Sequence, residues 1–228
     1  MVSKHQARTA RTIRSFVRRG GRLTSAQERA LVELWPKWGI DFSDKPLDFS
    51  AIYNRQAPCV LEIGFGNGET LANDAEREPD KNFLGVEVHQ PGVGRLLMEL
   101  QRREIDNIRI ICHDVVEVLR QITPASLDAV NIYFPDPWPK KRHHKRRLIQ
   151  MQFLARLATT MAPGGRLHIA TDWGPYAEHI HACLEASPAF EPAPDSNTAL
   201  RGETRFERRG KKLGHDVWDF VYKRLLVE

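Results

Sequence analysis

Cysteine is scarce in this chain. Its 228 residues include three, Cys59, Cys112 and Cys183, an odd number with no CxxC pair. A disulfide framework and a thiolate zinc site are therefore not expected, and each cysteine falls in or beside an apolar segment, as a small core residue would. Long apolar runs are also missing: none approaches the roughly 18 residues of a membrane-spanning helix. The opening stretch, MVSKHQARTARTIRSFVRRGGRLT, lacks the apolar core of a secretory signal. It is rich in arginine and free of acids, as a mitochondrial transit peptide would be, but a plain basic arm accounts for the same residues. These absences point to a reducing, cytoplasmic setting with no membrane attachment.

Acidic residues are missing from particular places. The net charge is only +5, yet residues 1–22 carry seven Lys/Arg and no acid, and residues 140–147 carry six and no acid. Residues 205–212 add a net +4, bringing the three blocks to +17 and leaving about −12 on the rest. An acidic body repels polyanions, so cations gathered into blocks upon it suit a phosphate-binding footprint; solvated arms and faces are the alternative. His143 and His144 have no third ligand at metal spacing nearby, and no metal is expected.

What the chain does have is a packed core, with 41% hydrophobic residues, and a regular alternation of patterns. SAQERALVELW (25–35) opens with Ser25 and Glu28 in capping-box spacing and stops at Pro36. CVLEIG (59–64), FLGVEV (83–88), NIRIICHD (107–114), LDAVNIYF (127–134) and RLHIATD (166–172) have the composition of buried strands. Between them lie helical patterns at about 69–78, 92–103 and 147–161, the last followed by a PGG turn; another helix spans 175–186. VWDFVYKRLLV (217–227) reads as a last strand. Strands at helical intervals predict βαβ units in a mostly parallel sheet covered on both faces, an α/β fold. The expected organisation is a flexible arm over residues 1–24 and a single domain over 25–228.

In open α/β sheets, ligands bind at the carboxyl ends of the strands. EIGFGNGE places Gly64, Gly66 and Gly68 at the first such end, where positive φ and close ligand approach favour glycine. The spacing is GxGxG; the dinucleotide fingerprint would need glycine at Glu69, which argues against NAD. Acids mark the neighbouring ends: Glu62, Glu87, Asp114 and Asp136. Four carboxylates suit a nucleoside that carries positive charge, and S-adenosylmethionine, with its cationic sulfonium, is one. Each acid could instead cap a helix, Asp114 above all.

LEIGFGNGE, GVEVH, NIYFPDPWPKKRHHKRR, ATDW and TRFERRGKKLGHDVWD together resemble the tRNA (guanine-N7)-methyltransferases, over about Leu61 to Asp219. The resemblance implies a Rossmann-like class I methyltransferase fold with a seven-stranded sheet, and S-adenosylmethionine-dependent transfer to N7 of a guanine in the tRNA variable loop. It implies Asp136 as the catalytic residue and Glu62, Glu87, Asp114 and Asp136 as cofactor ligands beside the glycine loop. Lys140, Asp172, Thr204, Arg205, Phe206 and Glu207 would contact the substrate guanosine, and Arg142, His143, His144, Lys145, Arg146 and Arg147 would meet RNA. The partner is tRNA; monomer and homodimer both remain open. Methylation of another RNA position, or a non-catalytic RNA-binding module on the same fold, are the rival functions.

Guanine N7 carries a lone pair and no proton, so no base is needed to activate it. A fixed carboxylate near N7 would stabilise the positive charge that develops on the ring. Asp136 lies between Pro135 and Pro137, whose φ is locked near −65°, so the acid is expected to position and stabilise rather than deprotonate. Phe134 and Trp138 could stack on a base or pack in the core.

Overall fold

A computed structural model describes residues 14–16, 22–193, 207 and 216–226. A seven-stranded sheet has the order β3-β2-β1-β4-β5-β7-β6, formed by β1 (Cys59–Ile63), β2 (Asn82–Val86), β3 (Ile108–Ile111), β4 (Leu127–Tyr133), β5 (Met161–Thr171), β6 (Phe190–Pro192) and β7 (Trp218–Arg224). The first five strands run parallel. β7 pairs antiparallel with both β5 and β6. From β1 the chain winds outward to β3, then returns to place β4 on the other side of β1. That reversal opens a crevice at the strand carboxyl ends.

Alternation along each strand feeds two cores. Val60, Phe83 and Ile110 face α1 (Ser25–Glu33), α2 (Trp35–Trp38), α4 (Glu69–Arg77) and α5 (Gln90–Arg103). Leu61, Leu84, Val130 and Leu167 face α6 (Val115–Val118), α7 (Met151–Thr160) and α8 (Gly174–Glu185). A short α3 (Phe49–Tyr53) precedes β1. In α5, Val93, Leu96, Leu97 and Leu100 recur at helical spacing and are completely buried, Pro91 opens the helix, and Glu104 closes it in a left-handed cap. Truncating any one of these leucines to alanine would cost about 2–5 kcal/mol.

Three boundaries differ from expectation. The α1 capping box uses Thr24 and Gln27 instead of Ser25 and Glu28: Gln27 N donates to Thr24 Oγ1 (3.2 Å) and Thr24 N to Gln27 Oε1 (2.9 Å). Gln27 also donates through Nε2 to Pro91 O (3.0 Å), which ties α1 to α5. The PGG turn lies inside the span of β5, where the pairing with β4 shifts register and Gly164 has φ +76°. The expected helix over 147–161 begins at Met151. Lys141–Arg146 form a separate 3₁₀ helix, because Ile149 N donates to Tyr176 Oη and Ile149 O binds His179 Nε2, so these groups are not used in a helix.

Candidate active site

A cleft of about 340 Å³ opens at the switch point, lined in part by Gly64, Gly66, Glu87, His113, Asp114, Tyr133, Phe134 and Asp136. Another cavity, about 410 Å³, lies at the opposite rim, where Arg55 and Arg103 are already engaged by Asn82 and Asn73. The first has the size of a small-molecule site and the expected location.

Three glycines shape its floor, with φ of +72° at Gly64, +58° at Gly66 and +74° at Gly68. Gly64 and Gly66 face the cleft. Gly68 is the N-cap of α4, and a Cβ there would lie 2.6 Å from Leu96 Cδ1. Gly92, in the first turn of α5, is a functional glycine that the spacing did not reveal: its Cβ would meet Gly66 O at 2.0 Å. The glycine loop therefore closes directly onto the start of α5.

The expected acids divide into different roles. Glu87 lines the cleft, but its carboxylate already accepts from Gly66 N (2.9 Å), Val88 N (2.7 Å) and His89 N (2.9 Å), so it braces the glycine loop. About one acceptor position remains for a ligand. Asp114 caps α6, accepting from Val116 N (3.0 Å), and also faces the cleft. Glu62 is not on the wall. It is buried at 3% exposure on β1 behind the loop, and its Oε2 has no hydrogen-bond partner among the described residues. Desolvation, then Asp74 and Glu87, push its carboxyl well above the usual carboxylate range. Asp136 is exposed at the cleft wall and makes no hydrogen bond or ion pair among the described residues. The orphaned Glu62 oxygen, two cleft-lining glycines and three further acids make an acceptor set for a cationic nucleoside. A wall not anticipated from sequence stands at the Asp114 end, where Phe42 stacks on His113 with ring centroids 3.8 Å apart.

The turn bearing Asp136 is held from several directions. Phe134 N donates to Ala170 O (2.8 Å), and Trp138 Nε1 donates to Ser15 O (2.9 Å). Arg146 lies 4.1 Å above the Trp138 ring, and its Nε donates to Arg14 O (3.1 Å). Ser15 and Phe16 thus bring part of the N-terminal arm to the cleft. Phe134 is half-buried on the cleft wall, while Trp138 is covered by Arg146 and Ser15.

Lys140, Lys141, Arg142 and Lys145 are exposed on the 3₁₀ segment. His143 and His144 are half-buried. Desolvation, followed by Arg142, Arg146, Lys140 and Lys145, lowers the pKa of His143. Arg147 corrects the expectation of a continuous RNA-facing run: it is 4% exposed and donates inward, through Nε to Pro137 O (3.0 Å). Asp172 follows β5 and does not cap α8, whose N-cap is Trp173. Glu207 is buried, and Thr204, Arg205 and Phe206 lie outside the described residues. Among the described residues no helix is long and apolar enough to cross a membrane, and no His/Cys/Asp/Glu group could hold a metal ion.

Residues 56–220 match a family described as "Putative methyltransferase". The tRNA (guanine-N(7)-)-methyltransferase of Alkalilimnicola ehrlichii is 52% identical over 221 residues, covering 94% of this chain and 93% of that protein. The protein of the same name from Aeromonas hydrophila is 49% identical over 98% of this chain and 97% of its own. Among solved structures, the 16S rRNA methyltransferase KamB aligns with a TM-score of 0.57 at 14% identity, over 79% of this chain and 95% of its own. TrmN from Thermus thermophilus aligns with 0.54 at 15%, over 87% and 48%. At these identities the two structures establish the fold, a Rossmann-like class I methyltransferase. On its matched residues and on relatives about half identical over nearly their whole length, the chain belongs to the family of tRNA (guanine-N7-)-methyltransferases.

Proposed function

We propose that the protein methylates N7 of a guanine in the variable loop of tRNA, with S-adenosylmethionine as donor, in the cytoplasm. The observation that carries this reading is the cleft itself: carboxylates surround a glycine loop at the switch point, and exposed cations begin four residues after Asp136. Relatives half identical over nearly full length bear the name of this activity, which supports the choice of atom and substrate.

S-adenosylmethionine, when bound, supplies an electrophilic methyl group. Glu87 and Asp114 are placed to accept hydrogen bonds from its nucleoside, and Glu62, whose proton burial retains, lies behind the glycine loop as a carboxyl that a cationic ligand would favour ionising. Asp136, whose carboxylate has no other partner among the described residues, orients the guanine and stabilises the cation that forms as N7 is alkylated. Lys140, Asp172 and residues 204–207 would complete the guanosine site. Arg142 and Lys145 hold flanking phosphates, which positions the RNA without reading its sequence.

The test is incubation with methyl-labelled donor and unmodified tRNA, followed by the strand cleavage that N7-methylguanine permits. Label at one variable-loop guanine is expected. Label on another atom would favour a different RNA methylation, and no label at all would favour a non-catalytic RNA-binding module.

A further inference from the structure

The turn that carries Asp136 is held in a conformation its own sequence does not favour. Phe134 and Trp138, bulky residues on either side of Pro135-Asp136-Pro137, have φ of +51° and +46°. Non-glycine residues in this region are strained and persist only where the surroundings over-determine them. Asp136 itself supplies no restraint, since its carboxylate bonds to nothing among the described residues.

Arg147 supplies one. Its Nε donates to Pro137 O at 3.0 Å, the carbonyl immediately after Asp136. Its Nη1 donates to Pro175 O (3.4 Å) at the start of α8, and its Nη2 lies 3.3 Å from His144 Nε2. The guanidinium sits 4.9 Å from the Tyr176 ring centroid. It is 4% exposed and forms no ion pair among the described residues. A buried cation without a carboxylate is tolerated only when its donors are satisfied, and here they bridge three segments of chain. None of these donors is turned toward solvent, where a phosphate would lie.

We propose that Arg147 is a positioning residue for methyl transfer: its planar fork fixes the Pro137 carbonyl, and through it the Asp136 carboxylate, against the start of α8, and it does not touch RNA. This rests on the reading of Asp136 given above. The fork matters as well as the charge. A lysine ammonium is compact and cannot reach Pro137, His144 and Pro175 in one plane.

The experiment compares Arg147→Lys and Arg147→Met in the full chain with tRNA and S-adenosylmethionine. In both variants kcat should fall by about tenfold to a hundredfold, the cost of a misplacement on the ångström scale. The KM for tRNA should change little, and the dependence of tRNA affinity on salt should match the parent protein. In an Asp136→Asn background the Arg147 substitution should cost little further activity, because both act through one carboxylate. A salt slope shallower by about 0.7–0.9 would mean that Arg147 holds a phosphate, and would overturn the proposal. So would parent-like kcat in Arg147→Lys, or equal losses in both backgrounds. If Arg147→Met fails to fold, the lysine variant decides alone by kcat and salt slope. Unchanged turnover in Asp136→Asn would instead refute the role given to Asp136, while the salt slope would still decide whether Arg147 touches RNA.

Discussion

Glu62 on β1 and Asn131 on β4 stand opposite each other in register, and each buries a side-chain oxygen that no donor reaches among the described residues. Two acceptors facing one another behind a ligand loop are unfavourable unless a proton or a positive group compensates. Asp74 and Glu87 add to the negative potential there. A proton on Glu62, which its raised pKa favours, or a positive ligand would compensate, and an anionic ligand would not.

Replacing Glu62 by glutamine should separate stability from function. The amide adds a donor beside Asn131, its register partner, and removes a buried ionisable group. Relief of about 1–3 kcal/mol corresponds to a melting temperature several degrees higher, at about 2–4 °C per kcal/mol for a chain of this size. S-adenosylmethionine affinity should drop by about tenfold or more, because the carboxyl can give up its proton in answer to a cationic ligand and the amide cannot. Thermal unfolding and calorimetry check the two halves. A variant that is both less stable and equally good at binding would contradict this role.

The same group sets a pH dependence. Its folded pKa is raised above the ordinary 4.5, so above about pH 4.5 the folded protein keeps a proton that the unfolded chain has released. Glu62 therefore lowers stability progressively as pH rises through that window, up to its folded pKa. The melting-temperature advantage of Glu62→Gln should be smallest near pH 4.5 and grow toward pH 8. An advantage that shrinks with rising pH has the wrong sign.

Gly92→Ala should damage the cofactor site from outside it. A Cβ at 2.0 Å from Gly66 O cannot be accommodated without moving the glycine loop or α5. A stability loss of about 1–3 kcal/mol is expected from such overpacking, together with weakened S-adenosylmethionine binding. Parent-like affinity in calorimetry would show that the loop does not need this approach.

The exposed cations should act through charge alone. Alanine at Arg142 or Lys145 should weaken binding of every tRNA to a similar extent and reduce the salt slope by about 0.7–0.9 for each phosphate that is no longer held. Cofactor binding should not change. Discrimination among tRNAs by any one of these variants would mean that the residue reads sequence.

Much of this was legible from residue patterns. Near-continuous apolar runs such as CVLEI, buried on both faces, marked the strands, and the period-3.6 run of Val93, Leu96, Leu97 and Leu100, buried on one face, marked a helix. Glycine at 64, 66 and 68 marked the loop, because backbone demands are local. Side-chain direction was not legible. Arg147 belongs to the same run of cations as Lys145, yet one points inward and the other outward, a difference set by Tyr176 and Pro175 nearly thirty residues later. The capping box slipped by one residue because Thr24-Gln27 and Ser25-Glu28 have the same chemistry, and only packing of Gln27 on Pro91 chooses between them. The approach of Gly92 to Gly66, and of Ser15 to Trp138, are tertiary contacts with no local signature.

The division between a cleft of acids and a surface of cations is tested most directly by titrating both ligands across ionic strength. Affinity for tRNA should fall by about a thousandfold or more between about 50 and 200 mM salt if six or so phosphates are held, while affinity for S-adenosylmethionine, whose partners are buried or bound to backbone, should change by less than about threefold. Two affinities that decline in parallel, or a tRNA affinity indifferent to salt, would contradict it.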